Sequence, residues 1–287
     1  MKIGRFLING KETFGFVRDG RIATKDEIIT KTGIPLPLSI KEFLFDGWYD
    51  EVISQKPELE YATKLEDAQI LAPIANPPKV ICLAFNYVDH AAEQNLKPPT
   101  EPAIVIIPRT TLTGTDSDIL CPKFVKQLDY EVELALVVGR NCKNVTEDDA
   151  KSIIFGYMIL NDVSARDVQE KDKQFGRAKG FDTFAPCGPW ITTWDEIQDP
   201  QNLKMTTKVN GQLRQNSNTS NMFIKIPAII SMLSKVMTLE RGDIISTGTP
   251  AGVMLNKPNA VYLQDGDKIE MEIEGLGRLD NSIRFLD

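Results

Sequence analysis

Short apolar runs broken by Gly, Pro, Asn and Asp dominate the chain, and few stretches carry the three-to-four spacing of an amphipathic helix. Residues 79–85, 103–107, 131–138, 155–161 and 268–273 read as strands between turn residues. Two hairpin signals, Asn9-Gly10 and Asp19-Gly20, lie among alternating apolar positions such as Ile3, Phe6 and Ile8, so the first segment reads as a small β-rich unit. Three helices are expected. Ser39-x-x-Glu42 has the form of a capping box, Thr146-x-x-Asp149 caps a second helix, and 224–236 is the longest, with Pro227 suited to its first turn. The fold class is mainly β, of α+β type. The Pro-rich stretch at Pro73, Pro77 and Pro78 marks a boundary between a unit of residues 1–72 and a larger one of 73–287.

Composition refines this only by exclusion. With 287 residues, 42% hydrophobic and 25% charged, the chain is an ordinary globular one, without repeats or low-complexity tracts. A net charge of -7 argues against general nucleic-acid binding. The apolar runs fall far short of the roughly 20 residues that cross a bilayer, so no membrane span is expected. No signal-peptide core follows Met1, which gives a cytoplasmic expectation. Cys82, Cys121, Cys142 and Cys187 form no Cys-x-x-Cys pair and read as reduced packing residues.

Candidate chemistry starts in Asp129-Tyr130-Glu131-Val132-Glu133-Leu134-Ala135. Residues two apart on a strand share a face, so Glu131 and Glu133 lie side by side. Such a pair fits either a solvated strand face or a bound cation. Asp162 follows a wholly apolar strand and can add a third carboxylate, or cap the next turn. Three carboxylates without Cys or His favour Mg2+, Mn2+ or Ca2+ over zinc or copper. His90 is the one histidine of the chain, and Glu93 stands a helical turn away. The two make either a surface pair or a dyad in which the carboxylate orients a general base. Lys179 sits among Gly and aromatic residues, and 247–253 is a small-residue loop without the ending of a phosphate loop.

In order along the chain, Asn86-Tyr87-x-x-His90, Asp129-Tyr130-Glu131-x-Glu133-Leu134, Asn161-Asp162-Val163-Ser164-Ala165-Arg166-Asp167 and Thr247-Gly248-Thr249-Pro250-Ala251-Gly252-Val253 resemble the fumarylacetoacetate hydrolase family. The resemblance runs from about Pro77 to the C-terminus and includes Pro186-x-Gly188-Pro189-Trp190 and Arg214-Gln215-x-x-Asn218-Thr219-Ser220; the first seventy residues look like a variable N-terminal domain. It implies a mixed β-roll, a homodimer, and a metal held by Glu131, Glu133 and Asp162. It implies further a catalytic dyad of His90 and Glu93 on a lid, with Gln169 and Lys179 on substrate oxygens and Arg166 and Thr249 as further substrate contacts. Many relatives carry a Lys where this chain reads Ile107-Pro108, and Arg109 is the replacement charge on offer.

The activity so implied is hydrolysis of a carbon–carbon bond in a 2,4-dioxo acid, an acylpyruvate or fumarylacetoacetate-like compound, through a metal-stabilised pyruvate enolate. Isomerisation of a 2-hydroxyhepta-2,4-diene-1,7-dioate type and decarboxylation of oxaloacetate use the same enolate and stay open. So does a catalytically silent homodimer that binds a metabolite.

Overall fold

The computed structural model describes residues 1–44, 47–97, 101 and 103–286. All five predicted strands are present, as Val80–Ala84, Ala103–Ile107, Val132–Val138, Ile154–Asn161 and Lys268–Ile273. Most of the chain's strands join one large mixed sheet. Its path runs Thr63–Lys64, Arg21–Thr24, Lys11–Arg18, Lys2–Ile8, Ala185–Thr193, Ile154–Asn161, Val132–Val138, Ile244–Ser246, Val80–Ala84, Ala103–Ile107. A second sheet of five strands runs Gln212–Asn218, Lys204–Val209, Lys268–Ile273, Gly277–Leu286, Ser117–Pro122.

Both hairpins form as the sequence predicts. Asn9, Gly10, Asp19 and Gly20 all have positive φ, and Ile8 faces Lys11 while Arg18 faces Arg21 across two-residue turns. The first strand does not stop at its own hairpin. Lys2 and Ile3 pair with Thr192 and Ile191, so the sheet passes from the N-terminal unit into the larger one without a break.

Strand Val132–Val138 is buried along its whole length, because both faces of the sheet are covered. Leu134, Leu136 and Val138 pack toward the five-stranded sheet and helix Ile226–Val236, with Met205, Met271, Ile230 and Leu233. Ala135 and Val137 pack on the opposite face with Phe14, Phe43, Met158 and Leu160. The odd positions, Glu131 and Glu133 included, therefore share the face opposite Leu134.

Helix Ile226–Val236 carries Pro227 in its first turn, as expected. The Ser39 cap forms, its side chain accepting from the Glu42 amide at 3.2 Å, although helix Ile40–Phe43 is a single turn. The helix expected after Thr146 is corrected to a 3-10 turn, Ala150–Ile153. The cap itself is made, with the Asp149 amide donating to Thr146 Oγ1 at 3.3 Å. Ile154 then enters the sheet opposite Val138, and strand pairing ends the helix. The four cysteines are free, and among the described residues no helix is long and apolar enough to cross a membrane.

Candidate active site

Asp162 comes to the Glu pair through strand pairing. Val132 faces Asn161 in the ladder, the Asn161 side chain accepts from the Glu131 amide at 3.0 Å, and the Asp162 amide donates to Glu131 O at 3.0 Å. Carboxylate oxygens of Glu131, Glu133 and Asp162 then lie within 4.8 Å of one another, all three residues buried. Lys179 reaches in from the helical turn Gly176–Lys179, its Nζ 2.7 Å from Glu131 Oε2 and 2.5 Å from Asp162 Oδ2. Arg166, first residue of helix Arg166–Asp172, donates from Nη2 to Glu131 Oε1 at 2.5 Å, from Nε to Asp129 Oδ2 at 2.9 Å and from Nη1 to Gln169 Oε1 at 3.0 Å.

Glu133 is held differently. Its Oε2 accepts from Ser246 Oγ at 2.5 Å and from the Gly248 amide at 2.9 Å. Gly248 has a φ of +94°, and a Cβ there would stand 3.0 Å from Asn86 Cβ, so glycine lets the backbone turn its amide onto the carboxylate.

Burial would raise all three carboxyls, and the local charges decide the outcome. For Glu131, burial is outweighed by Lys179 and Arg166, which hold it at about 2. Glu133 is pushed well up by burial and by the charges of Asp162 and Glu131. Asp162 is raised by burial against the pull of Lys179. Lys179 and Arg166 shift upward, the surrounding carboxylates overcoming the effect of burial.

These observations test the donor set for a cation. Four buried carboxylates, Asp129, Glu131, Glu133 and Asp162, face two buried cations, Arg166 and Lys179. Asp162 Oδ1 is buried with no hydrogen-bond partner among the described residues. The charge deficit and the free oxygen both fit a hard divalent ion held by Glu131, Glu133 and Asp162. A cavity of about 20 Å3 remains between these groups, enough for a water-sized guest, and His90, Gln169 and Thr249 also line it.

His90 and Glu93 lie on helix Val88–Glu93, with His90 Nδ1 3.7 Å from Glu93 Oε2. That is an ion-pair separation, too long for a hydrogen bond. Glu93 is fixed by Lys257 at 2.9 Å and by the Gly252 amide at 3.1 Å. Despite burial, His90, Lys257 and that amide hold its carboxyl at about 2. A carboxyl lowered by folding adds stability above its usual 4.5 and loses that contribution as pH falls through about 2. Glu93→Gln should therefore destabilise the protein at neutral pH by about 1 kcal/mol, allowing for its partial exposure. The gap to the parent should close between pH 4.5 and about 2 in urea unfolding, and a pH-independent gap would contradict this reading.

Most of the residues singled out by sequence thus converge. Thr249 lines the cavity, yet its hydroxyl donates to Val132 O at 3.0 Å and accepts from Gln215 Nε2 at 3.0 Å, so it also braces the strand that carries Glu133. Arg109 is not brought in. It is exposed in the turn Arg109–Thr111 and lines neither this cavity nor the adjoining one of about 400 Å3. Sequence reasoning gave no role to Asp129, whose alternation with Glu131 and Glu133 is the signal that could have found it. Ser246 and Lys257 carried none.

Residues 79–284 match the fumarylacetoacetate (FAA) hydrolase C-terminal family, and the chain belongs to that family. Within it, the chain is 42% identical over 253 residues to oxaloacetate tautomerase fahd2, mitochondrial, of Xenopus laevis, covering 86% of this chain and 80% of the relative. It is also similar to the crystal structure of 2-hydroxyhepta-2,4-diene-1,7-dioate isomerase from Mycobacterium marinum, with TM-score 0.78, 34% identity and 99% and 98% of the two chains covered. Maleylpyruvate hydrolase from Sphingobium sp. SYK-6, solved with manganese(II) and pyruvate, matches with TM-score 0.82 and 30% identity over the full length of both chains.

Proposed function

We propose that this chain is a divalent-cation-dependent enzyme that moves a proton at the carbon beside the 2-oxo group of a small 2-oxo acid. Its first reaction is enol–keto tautomerisation of an oxaloacetate-like acid, with Mg2+ or Mn2+ as the cation. The observation that carries this reading is the meeting of buried His90 and the three carboxylates in one cavity, with Glu93 behind the imidazole. The names of the relatives, a tautomerase, an isomerase and a hydrolase, share chemistry at a 2-oxo acid.

Glu131, Glu133 and Asp162 would hold the cation. When bound, it supplies a Lewis acid that favours enolisation of the oxo acid. In the enol-to-keto direction His90 takes the proton from the enol oxygen and delivers it to the neighbouring carbon, and Glu93, kept ionised, stabilises the imidazolium between the two transfers. Lys179 and Gln169 line the cavity and supply hydrogen-bond donors for substrate oxygens. Carbon–carbon hydrolysis of an acylpyruvate is the second reading. The adjoining cavity of about 400 Å3, which shares Phe85, Arg166, Gln169 and Leu255 with the inner one, favours it by leaving room for a longer substrate.

The test follows decay of the oxaloacetate enol and, in parallel, pyruvate release from a short acylpyruvate and from oxaloacetate, each with Mg2+ or Mn2+ and with chelator. Chelator-sensitive enol decay without pyruvate supports the tautomerase. Pyruvate from the acylpyruvate selects the hydrolase, and pyruvate from oxaloacetate a decarboxylase. No turnover in any assay refutes the enzyme reading. His90→Ala should lower turnover by about 10^2- to 10^4-fold while cation affinity, read by calorimetry, stays within twofold. Turnover at the parent rate would remove His90 from its role.

A further inference from the structure

Phe85 follows strand Val80–Ala84 and has a φ of +57°, a left-handed backbone conformation that is an outlier for a bulky side chain. The next residue explains how the conformation is held. The Asn86 side chain donates to Ile224 O at 3.1 Å and to Thr247 O at 2.9 Å and accepts from the Ile224 amide at 2.8 Å, while Asn86 O accepts from the Phe223 amide at 2.7 Å. With Asn86 locked on both sides, the chain must turn at Phe85, and such strain persists only where the surroundings impose it.

The turn lays the Phe85 ring nearly parallel to the His90 imidazole in an offset stack, with centroids 5.6 Å apart and planes 13° apart. Phe175, which also lines the inner cavity, meets Phe85 edge-on at 6.2 Å. An imidazole makes its hydrogen bonds and proton transfers in its own plane. A ring stacked on its face fixes that plane and leaves both nitrogens free. The stack matters here because His90 Nδ1 is buried with no hydrogen-bond partner among the described residues, Glu93 standing 3.7 Å away. Phe85 also lines both the inner and the adjoining cavity, so its ring stands where substrate must pass.

We propose that Phe85 is a positioning residue, whose strained backbone sets its ring against His90 and so fixes the imidazole plane for proton transfer. The catalytic consequence rests on His90 being the base proposed above; the placement of the imidazole does not. Because His90 is the one histidine of the chain, a single set of imidazole resonances reports on it without ambiguity. In the full-length protein with labelled histidine, the imidazole resonances should be displaced from those of a free histidine by the ring current of Phe85. In Phe85→Leu that displacement should disappear, and kcat should fall on the order of tenfold with KM within twofold, since misplacing a reacting group costs rate more than binding. Phe85→Tyr keeps the ring and should keep both the resonances and kcat.

Three results overturn the proposal: resonances of the parent at free-histidine positions, resonances unchanged in Phe85→Leu, or resonances that move in Phe85→Leu with kcat unchanged while His90→Ala lowers it. The first needs no variant, so it decides the stack even where Phe85→Leu does not fold. Loss of the ring-current displacement in Phe85→Leu, with kcat unchanged there and in His90→Ala alike, would instead place the failure in the assignment of the base.

Discussion

Glu131→Gln should lower divalent-cation affinity by more than about a hundredfold and take metal-dependent turnover down with it. Groups that merely orient a metal ligand cost 10- to 100-fold when removed, and Glu131 is assigned as a ligand itself. Of the three carboxylates it is the one held at about 2, so it carries full charge without the cation. The variant should still fold. Arg166 keeps Asp129 as its partner at 2.8 Å, and Lys179 keeps Asp162 at 2.5 Å. Titration calorimetry with Mn2+ beside circular dichroism separates loss of the site from loss of the fold. Parent-like affinity in a folded Glu131→Gln would sink the metal assignment.

Lys179→Met should have the opposite signature. Without a divalent cation, Lys179 is the charge that bridges Glu131 and Asp162, and both residues are buried. Removing one partner of such a cluster costs about 3–5 kcal/mol, because the remaining charges stay out of water without compensation. The metal-free melting temperature should fall sharply. Saturating Mg2+ or Mn2+ should then recover much of it, since a cation at a hundred times its Kd adds about 2.7 kcal/mol to whatever state binds it. The gain from metal should exceed that seen in the parent. A metal-free variant as stable as the parent would show that the cluster tolerates its own repulsion, and the charge-deficit reading would fall. Turnover should fall as well if Lys179 also serves substrate oxygens.

The parts of the fold that could be read in the chain are those fixed locally. Alternation within 131–138 places Glu131 and Glu133 on one face whatever surrounds them, and the structure keeps them there. The Asn9-Gly10 and Asp19-Gly20 turns need positive φ at both central residues, and those residue types tolerate it. The helix after Thr146 misled because its cap is real while its continuation is overruled by the pairing of Ile154 with Val138, a contact made across the sheet. The same distance hides Ser246 from Glu133 and Lys257 from Glu93, pairs separated by more than a hundred residues. Asp129 was closer to reach. The alternation that includes it is visible in the chain, but it meets Arg166 because strand Leu128–Asp129 pairs with Ser164–Ala165, and only that pairing shows its partner.

The passage of the large sheet from the first segment into the larger unit has a consequence for solubility. Strand Ala185–Thr193, rich in apolar residues and almost wholly buried, pairs with Ile154–Asn161, with Leu112–Thr113 at its start, and with Lys2 and Ile3 at Thr192 and Ile191. Stripped of the first segment, it would present the backbone donors and acceptors around Ile191 and Thr192 to water as a short open margin, a template onto which a strand of another molecule can add. The opening hairpins thus act as a seal on the sheet, guarding against self-association whatever part they play in chemistry.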